Sequence, residues 1–165
     1  MTFLRLNAGW IPAILFGVML LEGILFTTFL FSGSVICLAA GALVQIGVVG
    51  YFPVFLAIFT GFWVGDGINF MLGHRGETWV KGLAMVQSRP QLLARAETLI
   101  KKWGITAIFV SRFLGPTRPF VTLLAGVMHM SQLAFHTATV VSTLLLTWGL
   151  LNAGMTGVVA WNALK

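Results

Sequence analysis

The chain has 165 residues, of which 58% are apolar and only 8% are charged, and its mean hydropathy is +0.97. This composition is typical of an integral membrane protein and excludes a soluble globular domain. The length predicts a single membrane domain, residues 1–165, without a separate catalytic module. Cys37 is the single cysteine, so an internal disulfide is excluded. We expect no cofactor and no metal.

Residues 8–73 form the first long apolar run, and its charged residues are Glu22 and Asp66. By length, the run could hold three spans of about 20 residues each. It could equally hold two spans that flank a re-entrant hairpin, which enters and leaves the membrane on the same side. The polar and flexible sequence Phe-Ser-Gly-Ser at 31–34 favours a break in the middle of the run.

The basic residues favour the hairpin. Arg5 and the basic cluster at 75–102 should both be cytoplasmic by the positive-inside rule, which requires an even number of crossings between them. Two spans satisfy this requirement and three do not. The predicted segments are a transmembrane helix over 8–30, a re-entrant hairpin over 31–50 and a transmembrane helix over 51–73.

Residues 77–103 form the longest polar segment and predict an amphipathic helix. Pro90 suits the first turn of a helix, and Gly104 suits the position after its end. Basic residues lie off the apolar face, as expected of a helix on the cytoplasmic membrane surface. Packing on the protein itself is an alternative, and both contacts can hold together. The apolar face comprises Leu92, Leu93, Ala96, Leu99, Ile100 and Trp103.

The stretch 111–119 is the most unusual part of the chain. It places Arg112, Arg118, two prolines and a glycine within a run, 104–164, that is otherwise free of charge. Arginine at the bilayer centre costs about 2.5–3.5 kcal/mol, and an interior proline breaks a helix. One interpretation is an interfacial loop with its arginines on lipid headgroups. We favour a re-entrant hairpin whose arginines face an anionic ligand, because apolar residues resume immediately afterwards. The predicted segments are a hairpin over 104–128 and a transmembrane helix over 132–162.

An internal repeat relates the two halves. In each half a broken, glycine-containing segment precedes an Ala-Gly step and then a full span. An odd number of crossings separates the halves, so the repeats would be inverted, as in many transporters. We therefore predict an all-α integral membrane protein with inverted structural repeats. Each repeat is a re-entrant helical hairpin plus a transmembrane helix, with the cytoplasmic interfacial amphipathic helix between them. A shift of 85 residues superposes Leu38 on Leu123, Ala40 on Ala125, Gly41 on Gly126 and Trp63 on Trp148.

These motifs resemble the DedA family of bacterial inner-membrane proteins, also called the SNARE-associated or VTT-domain family. The resemblance covers about residues 20–150, and its most specific part is Arg112-Phe113-x-x-x-x-Arg118 followed by Ala125-Gly126. It implies two facing re-entrant hairpins and transport of undecaprenyl phosphate or other phospholipids between leaflets, often coupled to protons. The sequence Phe-Ser-Gly-Ser at 31–34 departs from the family, many of whose members have a proline and a second acid there.

The resemblance also assigns roles to residues. It places the family's essential membrane acids on Glu22 and Asp66, and its essential arginines on Arg112 and Arg118. The arginines would bind the substrate phosphate and the acids would couple transport to protons. The hairpin backbones would depend on Gly33, Gly41, Gly115, Pro116 and Gly126.

The chemistry of these four charges agrees with that assignment. Two acids and two arginines sum to zero, so fixed ion pairs that order the fold are one interpretation. Intramembrane charge is more often functional, and a guanidinium binds phosphate in the same forked geometry as carboxylate. A carboxyl group in a medium of low dielectric takes up a proton more readily. Protonation of an acid would then release an arginine for a lipid phosphate.

Three function classes follow. The first is a lipid-phosphate flippase, which is not an enzyme, in the bacterial inner membrane with its N-terminus cytoplasmic. The alternative is a small proton-coupled exporter of cationic compounds that uses Glu22, and the third is a structural or assembly protein. The arginine pair favours the flippase, because a cation site gains nothing from nearby positive charge. The expected partners are membrane lipids and the anionic lipid-phosphate substrate, with no nucleic acid, and a homo-oligomer is compatible with the sequence.

A phosphatase activity and a metal site both lack support in the sequence. Ser111-Arg112 followed by five residues resembles the third motif of membrane phosphatidate-type phosphatases, but that motif needs a histidine where Arg118 stands. His129 and His136 are seven residues apart and have no acid nearby, so they make a poor metal site.

Overall fold

The computed structural model describes residues 8–24, 33–76, 88, 90–112 and 118–164, and all its regular structure is helical. The all-α prediction is therefore confirmed for these residues. Predicted features at 25–32, 77–87 and 113–117 lie outside them, including Gly115 and Pro116 of the second hairpin. After a 3₁₀ turn at Ala8–Trp10, the helices are α1 (Ile11–Gly23), α2 (Gly33–Gln45), α3 (Tyr51–Arg75), α4 (Pro90–Trp103), α5 (Thr106–Ser111), α6 (Arg118–Val127) and α7 (Gln132–Ala163).

Two helices have the length and composition of membrane spans. Helix α3 has 25 residues and α7 has 32, which corresponds to about 38 and 48 Å at 1.5 Å per residue. Both exceed the hydrocarbon thickness of roughly 30 Å. Helix α2 has 13 residues and α6 has 10, or about 20 and 15 Å. As helices, α2 and α6 are too short to cross the hydrocarbon core.

Helices α2 and α6 each pack on the long helix from the other half of the chain. Helix α2 packs on α7, and α6 packs on α3. Glycines make both crossings tight: the backbone of Gly41 lies against the carbonyl group of Leu151, and that of Gly126 lies against the carbonyl group of Phe70. The reciprocal contacts join Gly154 to Leu38 and Gly73 to Leu123.

The two crossings share one pattern. Leu38 and Gly41 in the first crossing correspond to Leu123 and Gly126 in the second, which are the pairs that the 85-residue shift superposes. On the long helices the corresponding glycines, 73 and 154, are 81 residues apart. This separation is shorter than the 85-residue shift by about one helical turn. The two crossings hold the halves of the chain together, because each short helix packs on the long helix of the other half.

Helix α1 packs along α3 through further glycines. A Cβ atom on Gly65 would lie 2.8 Å from the Cα atom of Gly23, so the two backbones touch where α1 ends. This contact places the last turn of α1, which carries Glu22, beside the turn of α3 that carries Asp66. A close approach of this kind admits only glycine at both positions.

Helix α4 has one face on the protein and one charged face. Ala96 and Ile100 are buried in a cluster with apolar residues of α5 and α6. The helix begins at Pro90 and ends at Trp103, before Gly104, which has a φ of +53°. The predicted helix began at residue 77, and its first part, 77–87, lies outside the described residues. On the exposed face, Lys101 donates a hydrogen bond of 2.6 Å to Glu97 and lowers the pKa of that carboxyl group. The predicted contact with the membrane surface stays a prediction.

Candidate functional site: a carboxylate shared by two arginines

Asp66 lies at the centre of the candidate site. It is fully buried on α3, and its Oδ2 atom accepts hydrogen bonds from Nη2 of Arg112 at 2.8 Å and from Nη2 of Arg118 at 2.9 Å. Charge-assisted bonds of this length are among the stronger polar contacts in proteins. Residues that are 46 and 52 positions away in the chain therefore meet at one oxygen atom.

Arg112 is held by α7 as well as by Asp66. It follows the last residue of α5, and its Nε atom donates to Oγ of Ser142 at 2.6 Å. Its Nη2 atom also lies 3.3 Å from the carbonyl oxygen of Thr139. Only 7% of the residue is exposed. Contacts from both long helices thus fix the plane of the guanidinium group.

Arg118 begins α6 and is held chiefly by α3. Its guanidinium carbon lies 4.3 Å from the ring centroid of Phe62, one turn before Asp66 on the same helix. Cation–π contacts of this kind gain strength when both partners are shielded from water. Phe62 and Asp66 together therefore position Arg118.

Glu22 is the fourth charge of the site. Its carboxylate accepts a hydrogen bond from the backbone N–H of Gly33, the first residue of α2, and interacts electrostatically with Arg118 and Asp66. The N-terminus of a helix stabilises negative charge. Gly33 has no room for a Cβ atom, because the carboxylate of Glu22 occupies that space. The fold therefore gathers all four predicted charges, three of them in direct contact.

Asn69 ties the site to the helices around it. Its side-chain amide donates to the carbonyl oxygen of Gly23 at 2.5 Å and to the Oγ1 atom of Thr122 at 3.5 Å. It lies one turn after Asp66 on α3 and is fully buried. It thereby fastens the end of α1 and the middle of α6 to the part of α3 that carries Asp66.

The site retains hydrogen-bonding capacity. Within the described part of the chain, the buried atoms Oδ1 of Asp66, Nη1 of Arg112 and Nε of Arg118 have no hydrogen-bond partner. A buried polar group without a partner costs about 1–3 kcal/mol, and more when it is charged. Two cationic donors beside a shared carboxylate have the chemistry to receive an additional anionic oxygen.

Four residues of the site are not predicted from the sequence: Phe62, Asn69, Thr139 and Ser142. A signal for the last two was present: α7 is an apolar helix with four polar residues at helical spacing, and all four are buried. Such a stripe on a membrane span indicates a polar neighbour, here Arg112. These polar residues are Thr139, Ser142, Thr143 and Thr147.

The histidines lie in aromatic surroundings and not among the four charges. His136 packs against Trp63, Phe70 and Phe135. The ring of His129 lies 4.8 Å from that of His74. Among the described residues, no three histidine, cysteine or acidic side chains converge in a way that could hold a metal ion.

Comparison with known proteins identifies the family, because residues 13–156 match the VTT domain. The chain belongs to the VTT-domain family, also called the DedA family. Within the family, the inner membrane protein YabI of Escherichia coli is 30% identical over 125 residues, which are 76% of this chain and 49% of YabI. The membrane protein BU139 of Buchnera aphidicola is 23% identical, with the same coverage of each chain.

Another relative, whose name states a substrate, matches a shorter part of the chain. Undecaprenyl phosphate transporter A of Staphylococcus aureus is 34% identical over 64 residues, which are 39% of this chain and 32% of that protein. The chain spans about half the length of YabI and BU139. No solved structure gives a significant match.

Proposed function

We propose that this membrane protein moves a lipid phosphate between the leaflets of the bacterial inner membrane and couples the movement to protons. The observation that carries the proposal is the pair of buried arginines on one oxygen of Asp66. A carboxylate oxygen and a phosphate oxygen offer a guanidinium group the same hydrogen bonds. Asp66 would therefore occupy the phosphate position until a substrate displaces it.

Protonation of the two acids would allow a phosphate to replace the carboxylate on the arginines. With both acids ionised, the charges of Glu22, Asp66, Arg112 and Arg118 sum to zero. Protonation of one acid leaves a net charge of +1, and protonation of both leaves +2. These values match a phosphate monoester, whose charge at neutral pH is about −1.5 to −2. Uptake of protons by the acids would free the arginines for the phosphate, and loss of the protons on the other side would eject it.

The depth of the site supports transport. Asp66 lies 15 residues from Tyr51 and 9 from Arg75, or about 22 Å and 14 Å along α3. With the two ends of α3 at opposite membrane surfaces, as we propose, the carboxylate would lie inside the hydrocarbon core. We infer that α2 and α6, which are too short to span this core, belong to two re-entrant hairpins in inverted repeats. The hairpins would bring the charges to the middle of the bilayer, where transporters bind their substrates.

The relatives support the same class of substrate. The Staphylococcus aureus relative is named undecaprenyl phosphate transporter A, and YabI is named an inner membrane protein. We infer transport and not hydrolysis, since Arg118 stands where the phosphatase motif needs a histidine, and its guanidinium group donates to Asp66. An exporter of cations is less favoured, because Glu22 lies within electrostatic reach of Arg118.

Substitution of the arginines tests phosphate binding. Arg112→Lys and Arg118→Lys should fail nearly as badly as the alanine variants, because an ammonium group cannot reproduce the planar fork. Loss of one charge-assisted bond of about 1.5–3 kcal/mol should weaken binding of undecaprenyl phosphate by roughly ten- to a hundredfold. Binding is measured with purified protein in nanodiscs. Arg95→Ala, which removes an exposed arginine of α4, is the matched control. Parental affinity in both alanine variants would show that the phosphate binds elsewhere.

A further inference from the structure

An apolar groove follows the surface between α5 and α7. Its volume is about 330 Å³, at the lower end of the roughly 300–1,000 Å³ typical of small-molecule sites. It therefore has room for part of a long hydrocarbon chain. The groove is lined by Ile105, Thr106, Phe109, Thr137, Ala138 and Val141.

The polar atoms of the lining side chains are already satisfied. The hydroxyl group of Thr106 donates to the carbonyl oxygen of Trp103 at 2.5 Å, and that of Thr137 donates to the carbonyl oxygen of Leu133 at 2.9 Å. Both threonines can therefore present their methyl groups to a ligand. The groove offers hydrocarbon contacts and no specific polar recognition of its own.

The groove adjoins the arginine site through direct bonds. The backbone N–H of Arg112 donates to the carbonyl oxygen of Phe109 at 3.3 Å. Ser142 accepts from Nε of Arg112 and donates to the carbonyl oxygen of Ala138 at 2.6 Å. Phe109 and Ala138 are thus walls of the groove and also neighbours of the groups that hold the arginine. On the other side the groove is open, since Ile105 is 46% exposed and Val141 is 53% exposed.

We propose that this groove receives the first part of the hydrocarbon tail of the lipid phosphate whose headgroup binds at Arg112. The proposal rests on the proposed function. A lipid carries its apolar chain directly behind the phosphate, so a phosphate held in a buried site needs an apolar exit for the chain. Two of its lining residues, Phe109 and Ala138, are bonded to Arg112 or to its partner Ser142. The groove also opens on a surface of exposed apolar side chains, which suits such an exit.

The groove contributes space and not a hydrophobic driving force. A tail is surrounded by hydrocarbon in the bilayer as well as in the groove, so its transfer between them gains little free energy. Filling the groove should therefore prevent binding, whereas enlarging it should have little effect. A site that depended on hydrophobic contact area would lose affinity in both cases.

The test compares two valines of α7 that are equally exposed. Val141, in the groove, and Val159, outside it, are each 53% exposed. Val141→Trp should weaken binding of undecaprenyl phosphate in nanodiscs by roughly tenfold or more, because the indole group would occupy the space that the hydrocarbon chain needs. Val159→Trp and Val141→Ala should stay close to the parent. Inorganic phosphate, which carries no hydrocarbon chain, should bind all of these variants alike.

A second variant excludes a folding defect. Val141→Cys is purified in its folded state and then modified with a bulky methanethiosulfonate reagent, and Cys37 is buried and thus shielded from the reagent. Modification should block undecaprenyl phosphate as the tryptophan does. If Val141→Trp and the modified Val141→Cys both bind like the parent while Arg112→Ala is still defective, the groove proposal is wrong and the phosphate site is retained. Equal weakening by Val159→Trp would also overturn the groove proposal. If Arg112→Ala and Arg118→Ala bind undecaprenyl phosphate like the parent, the proposed function fails and the groove proposal fails with it.

Discussion

Replacement of Asp66 with alanine would leave two buried guanidinium groups without the carboxylate that they share. Each arginine donates a charge-assisted bond to Oδ2, at 2.8 and 2.9 Å, and such bonds contribute about 1.5–3 kcal/mol each. Removal of one partner from a buried ion pair typically costs about 3–5 kcal/mol, because the remaining charge is uncompensated. We therefore expect Asp66→Ala to lower the free energy of unfolding by about 4 kcal/mol, a large part of the roughly 5–15 kcal/mol of a typical protein.

A double-mutant cycle separates this effect from the loss of packing. In Asp66→Ala combined with Arg112→Met, one of the two uncompensated charges is gone. The double variant should therefore be more stable than the sum of the single effects predicts, by about 1–3 kcal/mol. Unfolding is followed by SDS titration in mixed micelles, with Arg95→Ala, at an exposed residue of α4, as the control. Stability of Asp66→Ala within about 1 kcal/mol of the control, or strict additivity in the cycle, would refute the shared ion pair.

Three further substitutions test the tight crossing of α6 with α3, the hydrogen bond from Arg112 to Ser142, and the ion pair on α4. Gly126→Ala places a Cβ atom 2.8 Å from the backbone nitrogen of His74 and should cost about 1–3 kcal/mol in the same unfolding assay. Gly157→Ala, with nothing within 4 Å, should not, and equal effects would contradict the tight crossing. Ser142→Ala leaves a buried Nε–H without its acceptor and should cost about 1–3 kcal/mol, whereas unchanged stability would show that the bond is dispensable. Because the pKa of Glu97 is lowered by Lys101, this pair stabilises α4 above pH 4.5 and the effect is lost as the pH falls through the lowered pKa. Glu97→Gln should abolish this acid dependence of unfolding, and its persistence would assign the dependence to other groups.

Much of the site could be predicted from sequence because charge inside an apolar run is so costly. Glu22, Asp66, Arg112 and Arg118 stand out for that reason alone, and the structure brings them together. Their arrangement could not be predicted. Nothing in the sequence indicates that Arg112 and Arg118 bind the same oxygen, since that depends on the crossing of α3 with α6 and α7.

The supporting residues were harder to predict for a different reason. Serine and threonine are common in membrane helices, where they often donate to the carbonyl group one turn earlier. Ser142 does so as well, through Ala138, and yet it also accepts from Arg112. Without the fold, the sequence does not identify Arg112 as the partner of Ser142. Gly41 and Gly126, in contrast, were matched by the 85-residue shift, and their tight contacts with α7 and α3 explain why both positions are glycine.

Proton-coupled lipid movement in liposomes tests the central proposal most directly. Purified protein is reconstituted with undecaprenyl phosphate, and the lipid's leaflet distribution is followed after a pH step. Movement by the parent should respond to the step. Asp66→Asn and Glu22→Gln, which mimic the protonated acids, should still bind the lipid phosphate but lose that response, while Arg112→Ala and Arg118→Ala should lose both binding and movement. If both arginine variants move the lipid at the parental rate, the phosphate site lies elsewhere and export of cations through Glu22 becomes the better hypothesis.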